Sequence, residues 1–128
     1  MNQLNSLILE GNLVRKPEVV KFTDGQVSKF TIGVNRQFES KGEKKSEVSF
    51  IDCEAFGNLA KIIENKEKGH PVRIVGRLKQ KTWEDAEHKK HSAVVVIPEH
   101  IEFRPLQKKV EVQKSQAKTK EDDYSMEM

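Results

Sequence analysis

The sequence predicts an all-β fold in which a small five-stranded barrel is closed at one end by one short helix; an open α+β sheet is the alternative. Apolar residues recur at every second position along most of the chain, and one stretch near its middle follows helical spacing instead. Gly11 and Gly76 lie inside predicted strands, where glycine marks a bend, and bends favour closing the sheet on itself. The length of 128 residues suits one ordinary domain with a short extension.

The first predicted strand is "SLILEGNLV", in which Leu7, Leu9 and Leu13 share one face. Asp24-Gly25 is then a hairpin signal between a short strand over residues 20–23 and a long one over residues 27–36. On the long strand the inward residues are Phe30, Ile32 and Val34, and the outward ones are Lys29, Thr31 and Asn35.

A charged hairpin loop around Gly42 leads to the third barrel strand, residues 48–56. Its alternation turns Ile51, Cys53 and Ala55 towards the core, and therefore turns Phe50, Asp52, Glu54 and Phe56 away from it. Exposed rings are costly unless something covers them. The cover is either a bound partner with flat apolar groups, or the hairpin loops, or a subunit contact.

A helix is predicted over residues 58–68, with Asn58 as its N-cap and Gly69 as its stop signal. Leu59, Ile62 and Ile63 have the spacing of one apolar helix face. The last two strands are "PVRIVGRLKQKTW" and "HSAVVVIPEHIEF", joined by the polar loop "EDAEHKKH". Pro98 predicts a bulge or a sheet edge in the last strand.

The fourth barrel strand carries the sharpest functional signal. One face is apolar, and the other carries Arg73, Val75, Arg77, Lys79, Lys81 and Trp83. Basic groups beside a flat ring suit single-stranded nucleic acid, because the charges attract phosphate and bases stack on the ring. The alternative is a solvated basic strand whose tryptophan covers a loop.

Three strands, a helix and two further strands match the OB architecture, a barrel that hosts many binding activities. Residues 1–106 are predicted to form this domain. Residues 107–128 lack hydrophobic periodicity and are rich in Gln, Lys and Ser, so they are predicted to be a disordered tail with an acidic tip.

Several other classes are disfavoured by the composition. The chain has no long apolar run and no signal-peptide pattern at its start, so a cytoplasmic protein without a membrane partner is expected. A single cysteine excludes an intrachain disulfide and a cysteine zinc cluster, and His88 and His91 are interpreted as loop residues. No cofactor or metal is expected. Asp52 and Glu54 leave a Mg²⁺-dependent nuclease as a minor alternative.

Five segments together resemble the bacterial single-stranded-DNA-binding protein family along residues 4–104: "LILEGNLVRKPEV", "GQVSKFTIGVNRQF", "SFIDCEAFGNLAKII", "KGHPVRIVGRLKQKTWED" and "SAVVVIPEHIEF". The resemblance implies an OB fold, usually in a homotetramer, that binds single-stranded DNA (ssDNA) in replication, repair and recombination, without catalysis. It also implies association with the nucleoid. The alternative is a barrel that binds only protein, such as an adaptor or a replication-restart accessory module.

The family's stacking positions fall on Phe38, Phe50, Phe56 and Trp83 of this sequence. The side chains expected to contact phosphate are Lys29, Arg36, Arg73, Arg77, Lys79 and Lys81. Phe38 has the parity of the core-facing Phe30 and Ile32, so its role requires a bulge near Arg36. Asp52 and Glu54 do not fit a DNA-binding face, because carboxylates repel phosphate. They either hydrogen-bond base edges or pair with Arg77 and Lys79.

The tail also departs from the family. Family tails end in an acidic run with a Pro-Phe-like tip that docks replication and repair proteins, whereas this chain ends "EDDYSMEM". The candidate docking residues are Glu121, Asp122, Asp123, Tyr124 and Met128. The alternative is a solvating tail that competes with DNA for the basic groups of the barrel.

Overall fold

A computed structural model describes residues 1–105, which form six strands and one helix. The predicted tail over residues 107–128, with its five candidate docking residues, lies outside the described part of the chain. The elements are β1 (Leu7–Leu13), β2 (Glu18–Phe22), β3 (Gly25–Ser40), β4 (Glu43–Phe56), α1 (Asn58–Ile63), β5 (Pro71–Glu84) and β6 (Lys90–Phe103). No helix within residues 1–105 has the length and apolar character needed to cross a membrane.

Five of the strands close into a barrel in the order β1-β5-β6-β4-β3, and β3 pairs back with β1. The closing contact is short, with Asn12 opposite Gly33 and Leu13 opposite Ile32. β6 meets β4 in a parallel contact, and β2 pairs with the beginning of β3 and widens the sheet beyond the barrel wall. The prediction of a five-stranded barrel is confirmed.

The core fills the barrel with the residues that the period-two pattern turned inward. The cluster contains Leu13, Phe30, Ile32, Cys53, Ala55, Ala60, Ile63, Val72, Ile74, Val96 and Ile101. Burial raises the pKa of the Cys53 thiol to about 12, so this side chain acts as a small apolar group. Helix α1 covers one end through Ala60 and Ile63, and the buried Ser28 hydroxyl donates a 2.9 Å hydrogen bond to the Ala60 carbonyl.

The helix is shorter than predicted and begins differently. It ends at Ile63 instead of residue 68, because the next residues form tight turns, in which the Lys66 amide donates to the Ile63 carbonyl. The prediction of Asn58 as N-cap is wrong, since Gly57 occupies that position without a side-chain cap. Gly57 has φ of 63°, a conformation that glycine adopts without steric cost, so the chain can turn directly from β4 into the helix.

Both long hairpins extend further than predicted. The charged segment around Gly42 is a two-residue turn, and Lys41 and Gly42 both have positive φ, as a tight hairpin turn of primed type requires. The polar loop after β5 is likewise reduced to residues 85–89. Near Pro98 the β5–β6 ladder shifts register, with Val75 opposite His100 and Gly76 opposite Pro98, which confirms the predicted bulge.

Gly11 is needed for the approach of β1 to β3. A Cβ atom at this position would lie 2.5 Å from the Gly33 carbonyl oxygen, which is backbone and cannot move aside cheaply. Gly76 is in the same situation against the Ile97 carbonyl oxygen. The two glycines predicted as bends are therefore positions at which a neighbouring backbone leaves no room for a side chain.

Substituting Gly11→Ala is expected to lower the free energy of unfolding by about 1 to 3 kcal/mol, because the added methyl group forces β1 away from β3. Urea unfolding followed by circular dichroism measures the change. The control is Asn12→Ala, an exposed neighbour on the same strand that already carries a Cβ atom. Equal stability of the Gly11→Ala variant and the wild type would contradict the close approach.

Candidate nucleic-acid interface

The outward side of β3, β4, β6 and β5 forms one continuous surface, called the outer face below. Its rings are Phe50, Phe56 and Trp83, whose exposed fractions are 64%, 46% and 49%. The ion pair between Lys81 on β5 and Glu54 on β4 spans β6 and joins the two halves of the face. The predicted outward orientation of the three rings is confirmed.

The residues of β3 that lie opposite Phe50 and Phe56 determine the shape of the outer face beside each ring. Gly33 lies opposite Phe50, and a Cβ atom there would come within 3.8 Å of the Phe50 ring, so the missing side chain leaves room beside the ring. Phe56 lies opposite Val27, and Val27 in turn lies opposite Val20 on β2. Phe56 therefore continues into an apolar row towards β2.

Phe38 does not share this face. β3 and β4 pair without a register shift from Val27 opposite Phe56 to Ser40 opposite Glu43, so the expected bulge near Arg36 is absent from this ladder. The tight turn at residues 41–42 closes a regular hairpin and needs no bulge. Phe38 consequently keeps the parity of Ile32 and is partly buried, with the Arg36 guanidinium 4.9 Å from its ring centre.

Four of the six predicted phosphate ligands are engaged by carboxylates. The shortest N···O distances are 3.6 Å for Arg36–Glu47, 2.6 Å for Arg73–Glu10, 3.2 Å for Arg77–Glu99 and 2.6 Å for Lys81–Glu54. Within residues 1–105, no ion pair is formed by Lys29 or Lys79. Of the six predicted phosphate ligands, these two lysines are therefore ready for an external anion.

Arg73 belongs to a separate cluster. It lies on the part of β5 that pairs with β1, up to roughly 33 Å along the strand from Trp83. The Arg73 guanidinium hydrogen-bonds to Glu10 and holds the pKa of that carboxyl below its usual value, while Glu10 raises the pKa of Arg73. Glu102 lies 3.5 Å from Arg73, and Arg104 lies 3.0 Å from Glu10. The cluster balances its own charge at a distance from the three rings.

Asp52 and Glu54 each have a protein partner. Glu54 binds Lys81, and its side chain is only 12% exposed. Asp52 accepts a 2.8 Å hydrogen bond from the Thr31 hydroxyl. The alternative in which Arg77 and Lys79 pair with them is wrong. Arg77 is bound to Glu99, and Lys79 forms no ion pair within residues 1–105. In the described part of the chain, no group of three or more acidic, histidine or cysteine side chains is placed to hold a metal ion.

Sequence reasoning missed two features of the outer face. Phe22 and Val20 lie on β2 with the parity of the apolar row beside Phe56, and Phe22 is 54% exposed. The register of the β2–β3 hairpin could have revealed them, because the turn consists of Thr23 and Asp24 and places Phe22 opposite Gly25. The sequence predicts a loop position for His91, but this residue lies on β6 directly opposite Trp83 and stacks on its ring.

Residues 4–104 match the model of the single-strand binding protein family, and the chain belongs to this family. A single-stranded DNA-binding protein of Fusobacterium nucleatum is 39% identical over 103 residues, which are 78% of this chain and 66% of that protein. A single-stranded DNA-binding protein of Aquifex aeolicus is 34% identical over 113 residues, 86% of this chain and 76% of that protein. The chain thus spans slightly less than two thirds of the Fusobacterium relative.

Among solved structures, the fold is similar to that of a Plasmodium falciparum SSB in complex with ssDNA. The TM-score is 0.74 at 19% sequence identity, and the match covers 82% of this chain and 98% of that one. At this identity the likeness supports the OB fold and adds nothing about individual site residues.

Proposed function

We propose that the protein binds single-stranded DNA without sequence preference and protects it during replication, repair and recombination. The observation that carries the proposal is the outer face, on which the exposed rings of Phe50, Phe56 and Trp83 share one surface with Lys29, Lys79 and Lys81. Membership of the single-strand binding protein family and the names of the two bacterial relatives support it. A cytoplasmic location at the nucleoid goes with this function.

The mechanism needs no catalytic group. Unstacked bases lie on the exposed rings, and each stacked base contributes about 1 to 3 kcal/mol. Lys29 and Lys79 attract phosphate directly, and the cations that are already paired exchange a carboxylate for a phosphate. Duplex DNA binds less well, because its bases already stack on one another. Phe38 contributes from the other side of the β3–β4 hairpin, so a strand that reaches it has to pass over the hairpin.

Docking of replication and repair proteins on residues 121–128 is a further part of the proposal. It depends on the sequence alone, in which Glu121, Asp122 and Asp123 offer charge to a basic surface and Tyr124 or Met128 offers an apolar group to a pocket.

Titration with oligo(dT) at several salt concentrations tests the DNA-binding proposal. Emission from Trp83, the only tryptophan, should be quenched, and log affinity should fall with log salt by about 0.7 per phosphate neutralised. Phe50→Ala and Phe56→Ala should each weaken binding by about 1 to 3 kcal/mol. The control is Ile62→Ala, which removes an exposed apolar group from α1. Unchanged emission at saturation, or a salt-independent affinity, would contradict the mechanism.

Glu54→Gln is expected to tighten ssDNA binding and to steepen the salt dependence by about 0.7, because the substitution frees Lys81 to neutralise one more phosphate. Fluorescence anisotropy of labelled oligo(dT) measures both quantities. Glu67→Gln makes the same charge change in an exposed turn after α1 and serves as the control. Weaker binding of the Glu54→Gln variant would show instead that Glu54 orients Lys81 towards phosphate.

We infer in addition that the protein works as a homo-oligomer, with four copies as the number implied by the family resemblance. One barrel is a small platform for a long strand. The edge of β1 that faces β3 is paired at Asn12 and Leu13 and packed against Gly33 at Gly11, so the backbone groups of residues 7–10 on that edge are available to another strand. Ile8 on the same strand is 68% exposed beside Val75.

Light scattering should therefore give the mass of a tetramer. Ile8→Lys is expected to reduce that mass, because it places a charge on the outward apolar pair formed by Ile8 and Val75, while far-UV circular dichroism stays unchanged. The matched control is Ile62→Lys on α1. A monomeric wild type at working concentration would refute the inference.

A further inference from the structure

Trp83 lies on the part of β5 that extends beyond its pairing with β1. β1 pairs with β5 as far as Gly76, and residues 77–84 continue as one arm of the β5–β6 hairpin. An exposed aromatic side chain on such an arm has rotamer freedom, and fixing it on DNA binding costs free energy. A ring that stacks efficiently on a base therefore has to be held in advance by a neighbour.

His91 is that neighbour. It is the direct cross-strand partner of Trp83 on the same face of the hairpin. The two ring centres are 5.6 Å apart and the planes are inclined by 19°, which is a stacked arrangement. The imidazole thus lies against one face of the indole, while Trp83 remains 49% exposed.

The imidazole is itself held by Asp85. The His91 Nε2 atom lies 2.8 Å from one carboxylate oxygen of Asp85, and the other oxygen accepts the backbone amides of Glu87 and Lys89, both at 2.9 Å. The pKa of Asp85 is lowered, first by the hydrogen bond to His91 and then by the Lys89 amide. The turn is also closed by a 3.0 Å hydrogen bond from the Asp85 amide to the Lys89 carbonyl.

We propose that His91, anchored by Asp85, is a positioning residue that fixes the Trp83 ring and restricts it to one stacked base. The turn at residues 85–89 holds the carboxylate, the carboxylate holds the imidazole, and the imidazole holds the indole. Because one face is occupied, Trp83 ends a stack of bases and cannot be sandwiched within it. This inference rests on the proposed function, since it assigns a role at the same DNA-binding face.

The test combines two measurements on His91→Ala, His91→Phe and Asp85→Asn. Anisotropy of labelled oligo(dT) reports affinity independently of tryptophan. Acrylamide quenching of Trp83 in the free protein reports whether the second face of the indole has opened. His91→Ala should weaken binding roughly three- to tenfold and make Trp83 more accessible to acrylamide. His91→Phe, which retains a stacking ring, should restore both values.

Asp85→Asn keeps an oxygen for the turn amides and removes the charged partner of His91, so an intermediate result is expected. The control is His88→Asn, which changes a histidine in the same turn, with a side chain 88% exposed; asparagine tolerates its positive φ of 64°.

Three results would overturn the inference. Wild-type affinity and accessibility in His91→Ala would show that the stack positions nothing. Equal weakening in His91→Ala and His91→Phe would assign the imidazole a direct DNA contact instead. Failure of the wild-type protein itself to bind oligo(dT) would overturn the proposed function and this inference with it.

Discussion

The short contact between β1 and β3 is the constraint on which the rest of the molecule depends. Gly11 lets the two backbones approach, Asn12 and Leu13 then pair with β3, and the Val14 amide donates a last hydrogen bond to the Thr31 carbonyl. Closure at this point converts a sheet into a barrel and gives every later strand an inside and an outside. It also sets the length of β3 and β4 that is left over, and this excess forms the hairpin arm beyond the barrel.

The outer face follows from that closure. A barrel filled by alternate residues has to turn the remaining alternate residues outward, and on β4 those residues include Phe50 and Phe56. The two rings are therefore exposed by the geometry of a well-packed core and do not result from poor packing. Trp83 is displayed in the same way on the extension of β5, where a histidine and a turn replace the barrel as its support.

The sequence was a good guide wherever side-chain alternation decided the outcome. The barrel, its core and the three exposed rings could all be predicted, because the period of two is preserved along the whole β3–β4 ladder and on either side of the one bulge in the β5–β6 ladder. Backbone conformation and distant pairing were harder to foresee. The helix start depends on the φ angle of Gly57, and the partner of Lys81 is Glu54, twenty-seven positions away along the chain. Ion pairs of that kind depend on how strands are placed side by side, which hydrophobic periodicity does not encode.

The pairing of Arg77 and Lys81 with carboxylates has a consequence for how a bound strand could travel. A basic group without a counter-charge would hold a phosphate in a deep local minimum, and the strand would have to leave that minimum before it could shift by one nucleotide. On this face Arg77 and Lys81 each have a carboxylate within 3.2 Å that can take back the positive group when a phosphate departs. The departing phosphate is then replaced in the same movement, which smooths the energy profile along the outer face. On the proposed function, a strand held by stacking and by such exchangeable pairs would diffuse along the barrel without dissociating, and the protein could yield it to an enzyme that advances from one side.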